Sequence, residues 1–167
     1  KITNPNGQSA KLDSAFEVTQ TSSTTPYLWI AAQTLGPPSQ RYLYKIKLTD
    51  TTVVQEWKTS DVTADGVQGI AFDGTNFWLC ASGTARSLFK IDVSDTSLVT
   101  LATVPLPSIS GGTLRGIVWQ EGYLWLAVST TGKIYQINPS NGALLDTINS
   151  PGIEPRGICF VNGILHC

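Results

Sequence analysis

One short pattern returns along this chain of 167 residues, and it constrains the fold more than any other feature. Gly69-Ile-Ala-Phe-Asp-Gly-Thr-Asn-Phe-Trp-Leu-Cys80 matches Gly116-Ile-Val-Trp-Gln-Glu-Gly-Tyr-Leu-Trp-Leu-Ala127 without a gap, at an offset of 47. Gly157-Ile-Cys-Phe-Val-Asn-Gly-Ile-Leu-His-Cys167 returns 41 residues later, and Tyr27-Leu-Trp-Ile-Ala-Ala32 precedes the first of these by 49. Periods of roughly 40 to 50 residues mark one supersecondary unit stacked on its neighbours, because a single unit cannot bury its own apolar faces.

Each unit carries further strands in register. Leu43-Tyr-Lys-Ile46, Leu88-Phe-Lys-Ile91 and Ile134-Tyr-Gln-Ile137 follow the first three copies, and fourth strands open at Val53, Leu98 and Leu144. Thr49-Asp-Thr-Thr, Ser94-Asp-Thr-Ser and Pro139-Ser-Asn-Gly carry turn chemistry between third and fourth strands. Asp73-Gly74, Glu121-Gly122 and Asn162-Gly163 are expected as tight hairpins between first and second strands. Leu124-Trp-Leu-Ala-Val128 is apolar without alternation, so both faces of the strand must be buried. A Trp recurs at 29, 78 and 125 and is expected as a packing wedge between units. No window shows sustained helical periodicity.

The string Arg115-Gly-Ile117, a Gly-containing turn, an aliphatic-Trp pair and Lys133-Ile-Tyr-Gln-Ile-Asn-Pro-Ser-Asn-Gly142 resembles the repeats of NHL and streptogramin-lyase-like propellers, over about residues 14 to 167. The resemblance implies an all-β fold, a β-propeller of four-stranded antiparallel blades: blade 1 at about 14–62, blade 2 at 67–108, blade 3 at 114–150 and a half blade at 155–167. It implies little about activity, since such propellers include lyases, lactonases, cyclases and pure binding modules. Lyase-like members place a His before the Gly-Ile pair as general base; Gln68, Arg115 and Arg156 stand there instead, and the only histidine, His166, replaces the repeat's Trp. Lactonase-like members hold a metal with Glu, Asn and Asp around the axis; Ile70-Ala-Phe72 and Ile117-Val-Trp119 supply no carboxylate. The expectation is a non-catalytic binding or structural module with no catalytic residue, metal or cofactor in this segment; the alternative is a lyase-type or lactonase-type enzyme whose catalytic residues lie outside it.

Charge then points to a surface. Eleven Lys and Arg nearly balance twelve Asp and Glu, leaving no basic excess for nucleic acid, and no apolar run is long enough to enter a membrane. On the face shared by loops entering first and third strands stand Arg41, Gln68, Arg86, Arg115, Lys133 and Arg156. Asp50, Asp73, Asp95 and Glu121 fall on the opposite face. The expectation is a basic loop face binding a carbohydrate or protein partner through an anionic group. Low Lys content with abundant Ser, Thr, Gly and Asn suits an extracellular, cell-surface or virion setting.

Three and a half blades cannot close a ring, so the rest is expected from further sequence of the same polypeptide, with a second copy as the alternative. The sequence has no Met, which agrees with a processed or excised chain. Cys80, Cys159 and Cys167 are expected as small buried apolar residues in strands. With Asn162-Gly163 as the turn, Cys159 is expected opposite His166, on the face away from Cys167.

Overall fold

The computed structural model describes residues 10–19, 26–34, 40–83, 86–94 and 97–167. Apolar and β-branched runs separated by turn residues form four antiparallel sheets, each a meander whose spatial order follows the chain. The first holds β1 (Ala10–Thr19), β2 (Tyr27–Thr34), β3 (Arg41–Lys47) and β4 (Val53–Lys58). The second holds β5 (Gly66–Phe72), β6 (Phe77–Ser82), β7 (Ser87–Ser94) and β8 (Ser97–Pro105). The third holds β9 (Thr113–Gln120), β10 (Tyr123–Ser129), β11 (Lys133–Ile137) and β12 (Leu144–Asn149). A hairpin of β13 (Cys159–Val161) and β14 (Ile164–His166) ends the chain. First strands of consecutive sheets lie beside one another, β1 against β5 and β5 against β9, so they form the inner layer.

The core lies between sheets. Phe77 and Leu79 of β6 bury against Trp29, Leu43 and Trp57 of the first sheet, whereas Trp78 and Cys80 of the same strand bury against Leu114, Ile117 and Leu126 of the third. Alternate side chains thus serve opposite neighbours, which is why the strand is apolar throughout. The recurring Trp bridges each seam. Trp29 stacks on Trp57 at 5.4 Å and tilts onto Phe77 at 4.5 Å, Trp78 stacks on Trp119 at 6.4 Å, and Trp125 meets Phe160 edge-on at 5.6 Å.

Turn chemistry follows the expected pattern with one correction. Glu121-Gly122 and Asn162-Gly163 have positive φ at both positions, as a two-residue hairpin of the right twist requires. In the second sheet the tight turn lies one residue later, at Gly74-Thr75, because the backbone of Asp73 pairs with that of Asn76. The Asp73 carboxylate is thereby left to accept the N–H groups of Thr75 and Asn76, at 2.9 and 2.7 Å. Asp50 organises the β3–β4 turn similarly. Its carboxylate accepts the hydroxyl and N–H of Thr52 and faces Lys47 at 3.1 Å, which holds its pKa down at about 2. Asp95 and the middle of Ser94-Asp-Thr-Ser lie outside the described residues.

The cysteine expectation needs correcting as well. Cys80 is fully buried and burial pushes its thiol up to about 12, but Cys159 and Cys167 are exposed. Cys159 does pair with His166. Cys159 corresponds to Ala71, which the next sheet buries, and among the described residues no sheet covers that side of the final hairpin. Cys167 corresponds to Leu126, which packs on the preceding sheet, but it lies at the exposed end of the hairpin with its Sγ 3.5 Å from Ser150 Oγ.

Candidate functional site

The inner strands share an irregularity absent from the sequence pattern. In β5 the pairing with β6 skips a residue between Val67 and Gly69, and in β9 the pairing with β10 skips one between Leu114 and Gly116. The extra residues are Gln68 and Arg115. β1 breaks register at the corresponding place, between Leu12 and Ala15. A bulge frees one residue from the ladder and re-aims its side chain. Here it lets the two reach each other across the seam, Arg115 Nη1 donating to Gln68 Oε1 at 2.9 Å. The Arg115 Nε–H is buried and meets no acceptor among the described residues.

The glycines that follow make this approach possible. A Cβ on Gly69 would come within 2.9 Å of Ile117, and one on Gly116 within 2.3 Å of the Arg156 carbonyl. Small residues at these points let consecutive inner strands run nearly in contact. Arg156 follows in the third position of the series, exposed and paired with Glu154 at 3.1 Å.

The cations entering third strands are placed differently. Arg41 Nη1 donates to the Ala64 carbonyl at 3.3 Å, and Arg86 donates through Nη1 and Nη2 to the carbonyls of Ile109 and Gly112, at 3.0 and 2.9 Å. Each guanidinium therefore ties the start of its third strand to the crossover leading into the next sheet, and the Ala64 and Ile109 contacts both span 23 residues. The two part-buried Arg86 bonds, as charged hydrogen bonds, contribute about 1.5–3 kcal/mol each, and the exposed Arg41 bond less. Gly112, at φ +66, sits where a Cβ would meet the Ser129 carbonyl at 2.4 Å. Among the described residues Lys133 reaches only Asn149, at 3.4 Å.

A polar belt therefore crosses the loop end of the sheets. Arg41 lies over Gly66, where a Cβ would approach its Nε to 3.3 Å. Gln68 Nε2 donates to the Gly66 carbonyl at 3.4 Å, and Arg115 donates to Gln68. Sequence reasoning identified the cations of this belt but not the bulges, Gly66, or the neighbouring Lys58 and Ser60. The shared 23-residue spacing was the one available signal for the clamps.

At the other end, Asp73 Oδ2 accepts the Trp78 indole N–H at 2.9 Å and pairs with Lys90 at 3.2 Å. Burial pushes this carboxyl up, but the donors of Asn76, Trp78, Thr75 and Lys90 outweigh it and hold the pKa below the ordinary value. Lys90 also lies 5.5 Å from the Trp78 ring, and Lys45 lies 4.4 Å from Tyr27 and 5.4 Å from Trp29. Among the described residues no group of three or more His, Cys, Asp or Glu is placed to hold a metal ion.

Residues 42–158 match the sequence family described as "Repeat of unknown function (DUF6923)". The chain belongs to that family. No curated protein matches it in sequence. Among solved structures it is similar to glutaminyl cyclase of Myxococcus xanthus, at 14% identity and a TM-score of 0.63, over 83% of this chain and 55% of the cyclase. It is also similar to the computationally designed Ika4 protein, at 12% and 0.54, over 98% of this chain and 87% of that one. The β-propeller domain of Cps50 (Swd1) from Myceliophteria thermophila matches at 11% and 0.51, over 92% of this chain and 58% of that one. At such identities the likeness establishes the fold alone, a β-propeller whose ring is not closed within this segment. The chain spans little more than half the length of the cyclase.

Proposed function

We propose that this DUF6923 chain is a non-catalytic propeller module whose loop face binds an acidic partner, a carbohydrate or protein, in an extracellular, cell-surface or virion setting. The single observation that carries the reading is the bulged inner-strand series Gln68, Arg115 and its continuation Arg156. An amide and two guanidiniums offer hydrogen-bond donors without a group able to take a proton near neutrality, which favours binding over acid–base chemistry. The Arg115 Nε–H, buried without an acceptor among the described residues, costs about 1–3 kcal/mol that a ligand oxygen reaching it would recover. Kinship with NHL and streptogramin-lyase-like propellers is part of this proposal, supported by Arg115-Gly-Ile117 and the strands that follow.

The test compares the native chain with the double variant Arg115→Ala, Arg156→Ala on acidic glycans and acidic polypeptides. The expected result is binding by the native chain and a loss of at least about tenfold in the variant, equivalent to ~1.4 kcal/mol. Unchanged binding by a folded variant overturns the reading.

A further inference from the structure

At the seam of the first two sheets, off the inner-strand series, a pocket of about 180 Å³ opens on the loop end. Its lining converges from three parts of the chain: Gln40 and Arg41 where β3 starts, Lys58 where β4 ends, and Ser60, Thr63 and Ala64 from the crossover into β5. Both charged residues of the lining are positive.

The two cations are held differently. Arg41 is fixed by its bond to the Ala64 carbonyl and by the flat seat over Gly66, so its fork is set before anything binds. The Lys58 ammonium has no acidic or hydrogen-bonding partner among the described residues, and its long stem can swing over the opening. Around them stand groups suited to hydroxyls. The Ser60 hydroxyl is unengaged among the described residues, and the Gln40 amide is oriented by the Tyr42 hydroxyl, which donates to its Oε1.

Size narrows the ligand. An opening of about 180 Å³ has room for one sugar ring. A fixed fork, a mobile ammonium and neutral polar groups at that scale match a ring of hydroxyls bearing one anionic group.

We propose that the pocket lined by Arg41, Lys58, Ser60, Thr63 and Gln40 binds a single hexose unit carrying one negative group, a carboxylate or a sulfate. The inference rests on the acidic-carbohydrate form of the function proposed above and gives that carbohydrate a second point of contact.

The experiment is an amide-resolved NMR titration of the full chain with glucuronate, glucose 6-sulfate, glucose and inorganic phosphate in parallel. The expected result is saturable shifts at the amides of Ser60, Thr63 and Ala64 with one or both anionic sugars, and affinity at least about tenfold weaker for glucose and for phosphate. A response to glucuronate alone identifies the carboxylate as the group, and a response to the sulfate alone identifies the sulfate. Lys58 is exposed at a strand end, so Lys58→Ala should keep the native spectrum and weaken the anionic sugar about tenfold. No shift at these amides, an equal response to glucose or phosphate, or an unaltered affinity in Lys58→Ala overturns the proposal. Shifts confined to Gln68 and Arg115 overturn this pocket while supporting the inner-strand site, and shifts confined to the pocket do the reverse.

Discussion

Gly116 and Gly157 occupy the same position of the repeat, yet their surroundings differ. A Cβ on Gly116 would lie 2.3 Å from the Arg156 carbonyl, whereas one on Gly157 would meet nothing within 4 Å. The contrast extends along the strands. Leu126 is 0% exposed against the preceding sheet, and its counterpart Cys167, at the end of the final hairpin, is exposed. Ala71 is 0% exposed, and its counterpart Cys159 is exposed. The face that Ala71 occupies is buried by the next blade, and among the described residues the final hairpin has no such neighbour. Its Val161 and Ile164 are exposed.

Thiol chemistry should separate the two environments most widely. Cys159 and Cys167 should alkylate at ordinary thiol rates, while Cys80, buried with its pKa pushed up to about 12, should react only on opening of the fold. The expected gap is at least about 1,000-fold, ~4 kcal/mol of opening, read by intact mass against time. Simultaneous labelling of all three would break the comparison.

Core truncation comes next. Leu126→Ala should cost about 3–4 kcal/mol in urea unfolding, because the cavity lies between two sheets that cannot collapse onto it. Cys167→Ala, at the equivalent position, should change stability by no more than about 0.5 kcal/mol. Equal losses would show that the hairpin is covered in solution.

The smallest effect belongs to the glycines. Gly116→Ala must push against backbone, and should cost about 1–3 kcal/mol. Gly157→Ala should lie within about 0.5 kcal/mol of the native chain. A marked loss at Gly157, measured in the same unfolding assay, would place an unseen surface against it.

Legibility in the sequence followed the range of the interaction responsible. The hairpins at Glu121-Gly122 and Asn162-Gly163 were readable because positive φ is a local demand that few residues meet. The seam role of Trp29 and Trp78 was readable because a large aromatic repeated at blade spacing has to fill the same space each time. The turn at Gly74-Thr75 was misplaced by one residue because Asp73 spends its carboxylate on loop N–H groups and on Trp78. The basic residues were found as a set, but their different placements were not. Arg86 reads in the sequence as a loop cation, and only the folded crossover brings the carbonyls of Ile109 and Gly112 within its reach.

By itself, then, the sequence determined the repeat unit, its four strands, most of its turns and its two-sided apolar strands, all consequences of local geometry and period. Tertiary structure alone decided which copy of each position is buried, which arginines are consumed as clamps, and that a bulge turns Gln68 and Arg115 toward each other. The physical reason is that solvent exclusion and hydrogen-bond partners come from neighbouring blades some 47 residues away, and no local pattern records which neighbours are present.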